Sequence, residues 1–125
     1  MQEMLEAIGN RLTGTVHYGQ MPDEPDNITL LNFSSGNSPR RALGKSKPVI
    51  REPEIQVRVR DKSYFNCISL IDNHITILES LSGTFGNLFI TKITQVGDVI
   101  PLGRDNKNRY DFSINFIVQI DNKEV

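Results

Sequence analysis

The hydrophobic pattern changes period once, in the middle of the chain. From Pro53 to Leu81 the sequence reads PEIQVRVRDKSYFNCISLIDNHITILESL. Ile55, Val57 and Val59 alternate with Gln56, Arg58 and Arg60, the two-residue period of a half-buried strand. After Asp61, the residues Phe65, Ile68, Ile71, Ile75, Leu78 and Leu81 recur at spacings of three and four, which predicts one apolar stripe on an α-helix over 62–82. Asp61 is a suitable N-cap, because its carboxylate can accept from first-turn amides, and Gly83 is a suitable C-terminal cap. At ~1.5 Å per residue such a helix is roughly 30 Å long, enough to cross a small sheet.

The flanking segments are read the same way. Met1, Met4, Leu5, Ile8 and Leu12 predict a short amphipathic helix over 1–12. Residues 13–27 hold two glycines, two prolines and an Asp/Asn cluster, and read as a loop with a short extended piece at Val16–Tyr18. Residues 28–33 (ITLLNF) read as a strand. Residues 34–53 (SSGNSPRRALGKSKPVIREP) lack any periodicity and are expected to form a long mobile loop. Residues 87–96 are β-rich, and 97–108 read as a turn-rich connection. The cleanest alternation is Tyr110, Phe112, Ile114, Phe116, Val118 and Ile120, each worth roughly 1.5–3 kcal/mol if fully buried. The last five residues read as a frayed tail.

These elements predict a single α+β domain over 1–125. Its architecture is two-layer, an about four-stranded mixed or antiparallel sheet with two helices packed on one face. The central strand and the next one, joined by a helix, would run parallel if adjacent, and the last two strands would form a hairpin.

Composition narrows the class. A chain of 125 residues with 38% hydrophobic and 23% charged residues can bury a core of its own. The formal charge of -1 provides no global attraction for nucleic acid or an acidic membrane. The single cysteine, Cys67, excludes an internal disulfide and a thiolate metal cluster. No apolar run approaches the ~20 residues needed to span a bilayer, and the first twelve residues lack the features of a secretory signal. The expectation is a cytosolic chain with no membrane partner.

Catalytic patterns are missing from the sequence. His17 and His74 are the two histidines, and no metal-ligand spacing, P-loop or GxGxxG accompanies them. Cys67 and His74 lie seven positions apart on one predicted helix, about 10 Å along its axis, too far for a nucleophile pair. No cofactor is expected. Asp23, Glu24 and Asp26 read as a solvated turn in preference to a calcium site. Arg40, Arg41, Lys45, Lys47 and Arg51 form a basic stretch suited to phosphate or to an acidic protein neighbour, without interleaved aromatics for stacking. Arg58 and Arg60 put two cations on one face of a strand. That face is therefore open to water or set against carboxylates, with Asp105 and Asp111 as partners within the chain and a neighbouring subunit as the equal alternative.

Three stretches in order, PDEPDNITLLNFSSG at 22–36, EPEIQVRVRDKSY at 52–64 and GRDNKNRYDFSINFIV at 103–118, resemble the minor capsid or tail terminator (tail completion) proteins of tailed bacteriophages. The resemblance implies a structural virion protein without enzymatic activity, assembling as a ring of typically six copies. Such a ring caps the tail tube, ends its polymerisation and meets the head connector. It also implies as partners further copies of the chain, the major tail tube protein and the head–tail connector protein, with DNA touching the lumen at most transiently. Arg58, Arg60, Arg104, Asp105 and Arg109, together with the basic stretch, are the expected contact residues. The alternative class is a small nucleic-acid-binding accessory protein using residues 40–51.

Overall fold

The computed structural model describes residues 2–12, 14–40, 50–85 and 88–122. Their order is α1 (Gln2–Gly9), β1 (Val16–Tyr18), β2 (Ile28–Arg40), β3 (Ile50–Asp61), α2 (Tyr64–Glu79), β4 (Gly83–Phe85), β5 (Leu88–Arg104) and β6 (Tyr110–Asn122). The expectation of about four strands with two helices packed on one face is overturned. Most of the chain is strand, in a curled half-barrel of six strands ordered β1-β2-β3-β6-β5-β4. β1 runs parallel to β2, and all other neighbours are antiparallel. The two helices are unequal: α2 meets β3, β5 and β6, while the eight-residue α1 meets β2 near one edge. α1 ends at Gly9, where a Cβ would sit 2.1 Å from the Tyr18 hydroxyl, so the glycine admits that ring.

β6 lies between β3 and β5, which are therefore not neighbours, and the expected final hairpin forms between β5 and β6. The stretch read as a loop over 34–53 is strand at both ends. Residues 34–40 and 50–53 extend the β2–β3 hairpin, and 41–49 lie outside the described residues. Gly36 and Pro53 sit where the ladder tolerates them. Pro53 faces Gly36 across β2, and the β3–β6 pairing passes from Arg51 to Glu54, across a residue with no N–H to donate. β5 similarly continues through the predicted connection as far as Arg104. Register shifts between Val96 and Ile100 and between Pro101 and Gly103 absorb the irregular residues, with Gly97 and Gly103 at positive φ.

The alternating residues behave as their period requires. Ile55, Val57 and Val59 join Phe112, Ile114, Phe116, Val118 and Ile120 in one buried cluster with Met4, Ile8 and Leu12. Ile71, Leu78 and Leu81 of the predicted stripe are buried and Ile68 and Ile75 pack against the core, but Phe65 is 76% exposed, and Cys67 and His74 join the buried face. His74 turns inward because Thr29 on β2 supplies a partner, with Oγ1 2.8 Å from Nε2. The cap is also displaced. Ser63 is the N-cap and accepts from the Asn66 amide, while Asp61 ends β3 and accepts from the Ser63 amide at 2.9 Å. Gly83 opens β4, and the helix closes at Ser80.

Candidate functional site

Arg58 and Arg60 leave the core face of β3 on the opposite side from Val57 and Val59, and both find partners within the chain. The Arg58 guanidinium pairs with Asp111 on β6, through Nε at 3.4 Å and a shorter Nη2 contact. Arg60 is only 4% exposed. It donates to the Pro22 carbonyl at 2.6 Å, to the Pro25 and Asp23 carbonyls, and to the Asp26 carbonyl at 3.2 Å. A guanidinium has five N–H groups in a fixed fork, which suits it to collecting the carbonyls of one bent segment. Burial lowers the Arg60 pKa from its usual value, and the neighbouring Arg109 adds to the effect.

Arg109 completes the arrangement from the turn between β5 and β6. Its Nε donates to Asp105 Oδ2 at 2.8 Å, its Nη1 donates to the Asp23 carbonyl, and Asp23 and Asp26 carboxylates lie 3.5 Å away. Asp105 Oδ1 accepts from the amides of Lys107 and Arg109 at 2.9 and 3.0 Å, which holds the turn in shape. These bonds, the one from the Arg109 side chain foremost, hold the Asp105 carboxyl down at about 2. Lys107 reaches Asp23, whose pKa it lowers. The result is an ionic clasp: residues 22–26 are fastened to the end of β3 and to the 105–109 turn, and the charges neutralise one another.

Asp105 therefore partners Arg109, and Asp111 partners Arg58. Arg104 is the exposed member of the five candidates, with its guanidinium 5.7 Å from the centre of the Tyr110 ring. It borders an aromatic group in which Tyr64 packs edge-on against Phe65, Tyr110 and Phe112. Arg51 lies on β3, while Arg41, Lys45, Lys47 and the side chain of Arg40 lie outside the described residues. Sequence reasoning missed the role of Asp23 and Asp26, which it took for a solvated turn. The available signal was that this acidic segment and the cationic 103–109 turn both carry unpaired charge in the same chain.

Two further features concern the rim of the sheet. β1 covers β2 at Thr29–Leu31 and β4 covers β5 at Leu88–Ile90. Among the described residues, the rest of each outer edge has no strand beside it. Exposed apolar side chains accompany both edges: Phe33 on β2, and Val96, Ile100 and Leu102 on β5. The surface hollows are modest. One of about 430 Å³ is lined by Gln2, Leu5, Glu6 and Tyr18, another of about 330 Å³ by Asp61, Asn66, Ser69, Leu70 and Asn73. Among the described residues no group of three His, Cys, Asp or Glu side chains is placed to hold a metal ion.

A comparison with curated proteins finds no match. The family model described as bacteriophage tail terminator protein matches residues 4–122, a span that takes in the clasp, both open edges and the whole apolar cluster. The chain belongs to the bacteriophage tail terminator family, a family of structural proteins of the virion tail.

Proposed function

We propose that this chain caps the tail tube of a long-tailed bacteriophage at its head-proximal end, ends tube polymerisation and forms part of the head–tail joint. It does so as a closed ring of six copies, assembled in the host cytoplasm. The family match over residues 4–122 is the observation that carries this reading. The partners are other copies of the chain, the major tail tube protein and the head–tail connector protein, with DNA passing through the lumen and touching it at most transiently.

Two structural features support a contact protein. The clasp fixes a rigid outer surface without leaving its arginines available for chemistry, and the exposed Phe65, Ile100, Leu102 and Arg104 supply apolar and cationic surface at one end of the sheet. A closed ring needs two different patches on each copy, because a head-to-tail contact is heterologous.

The test is tube assembly from the major tail tube protein with and without this chain, read by negative-stain microscopy with the chain gold-labelled. Shorter tubes carrying label at one end are expected. Tubes of unchanged length with no label at their ends would overturn the proposal.

A further inference from the structure

The two open edges are complementary in position and direction. β2 and β6 run the same way because β3 is antiparallel to both, and β5 runs against them. A second copy set beside the first in the same orientation therefore brings its β5 antiparallel to β2 of the first. The heights agree as well. Reading across the sheet, Asn32 faces Gln56, Asn115 and Val96, while Phe33 faces Ile55, Phe116 and Gln95. Ser35 faces Glu54, Ile117 and Thr94. β1 blocks the edge of β2 at the Phe112–Ile114 level, and β4 blocks the edge of β5 at the Ile120–Asn122 level. What each leaves open overlaps at one height, residues 32–37 on one side and 92–96 on the other.

We propose that the free edge of β2 at Asn32–Asn37 pairs with the free edge of β5 at Lys92–Val96 of a second copy, continuing the antiparallel sheet from subunit to subunit. This rests on the ring reading above and specifies its contact. An open edge presents a row of unpaired N–H and C=O groups, and another such edge is the complement that satisfies them. Because the two windows lie at equal height, strands running along the ring axis join without axial rise, and a contact without rise closes into a ring where a staggered one would climb into a filament. The contact also covers apolar surface: Phe33 is 43% and Val96 36% exposed in the single chain, each beside one of the paired edges. β5 narrows the choice itself. Its register shifts between Ile90 and Lys92 and again between Val96 and Ile100, and Pro101 further along removes a donor, so the regular pairing window is Lys92–Val96, while β2 carries one shift of its own between Phe33 and Ser35.

The experiment is disulfide trapping in the full chain, alone and bound to tail-tube ends, with native mass spectrometry of the unmodified chain in parallel. Phe33→Cys and Gln95→Cys occupy one height and one face, and directly opposed residues on antiparallel neighbours fall within disulfide reach. On oxidation the double variant should yield a ladder of covalent oligomers, roughly tenfold or more above either single variant. The Phe33→Cys/Leu102→Cys pair, displaced along the strand, should not. Oligomers in the unmodified chain without a ladder from the matched pair, or with dimers from a single variant, would overturn the edge contact and leave the ring reading standing. A chain that stays monomeric even at tube ends would remove the ring reading, and the edge contact with it.

Discussion

His74 makes a pH-dependent prediction whose size follows from its surroundings. The ring is fully buried on the inner face of α2, with Nε2 bonded to Thr29 Oγ1 at 2.8 Å and no partner for Nδ1 among the described residues. Burial penalises the charged ring and lowers its pKa from 6.5 to about 4. In the folded chain it stays neutral through the range in which the unfolded chain takes up a proton. Stability from this source is therefore complete above pH 6.5, falls as pH drops, and levels off below about 4. At about 1.36 kcal/mol per pH unit, the loss between pH 6.5 and 5 is about 2 kcal/mol, a sizeable part of the 5–15 kcal/mol typical of a domain. The assay is urea unfolding followed by far-ultraviolet circular dichroism at half-unit steps from pH 7.5 to 4.5, on the parent chain and on His74→Gln. Glutamine can still bond Thr29 but does not titrate, and both proteins keep His17, so the difference in slope isolates His74. Equal slopes in the two proteins, or a flat parent between pH 6.5 and 5, would refute the reasoning.

Other expectations are separable from this one. Cys67 is buried, its Sγ donates to the Asp61 and Tyr110 carbonyls, and burial raises its thiol to about 11. Maleimide at pH 8 should label it only as fast as the chain unfolds, and prompt labelling of native protein would show the site to be open. Arg60→Lys keeps the charge but loses the planar fork that gathers four carbonyls. It should cost about 1–3 kcal/mol in urea unfolding and expose the 22–26 segment to cleavage by an Asp/Glu-specific protease. An unchanged midpoint and cleavage pattern would mean that the fork is dispensable. Asp105 titrates near 2 in the folded chain against an ordinary 3.8, so its contribution is full above 3.8 and fades as pH falls towards 2. A carboxyl carbon titration by NMR should find that low midpoint, and Arg109→Gln should return it towards 3.8.

The parts of this fold legible in sequence are those governed by a local period. Ile55–Arg60 and Tyr110–Ile120 show alternation because each strand has one face on the apolar cluster, and both were placed within a few residues. The helix was legible as a helix, and Ile71, Leu78 and Leu81 of its stripe are buried, but Phe65 is exposed and His74 takes an inward place. His74 is polar in the sequence, and only the arrival of Thr29, 45 positions away, makes its burial tolerable. The arms of the β2–β3 hairpin were hidden by their composition, since Gly36 and Pro53 read as loop residues until they are seen facing each other across a ladder. The clasp was hidden by distance along the chain, with Asp23 and Lys107 separated by 84 positions. Arg58 and Arg60 announced that their face was not dry core. Nothing local indicated which carboxylates and carbonyls they would meet.

The clasp bears on how the proposed ring is held together. Arg60 and Arg109 expose little surface, and the loss of hydrating water from each guanidinium is offset by carbonyls and carboxylates of the same chain. Neither arginine can turn to a neighbouring subunit without releasing residues 22–26 and leaving Asp105 or the carbonyls unpaired. Both are occupied within the chain, where they brace residues 22–26 against the end of β3 and the 105–109 turn. The groups at the proposed edge contact are mainly backbone amides and carbonyls, with Phe33 and Val96 beside them and Lys92 as the one charged residue of the β5 window. Such a contact is directional because strand pairing has polarity and register, and it is only weakly screened by salt because few full charges take part. In the proposed ring, two directional edges on a subunit braced by the clasp would repeat the same contact from copy to copy.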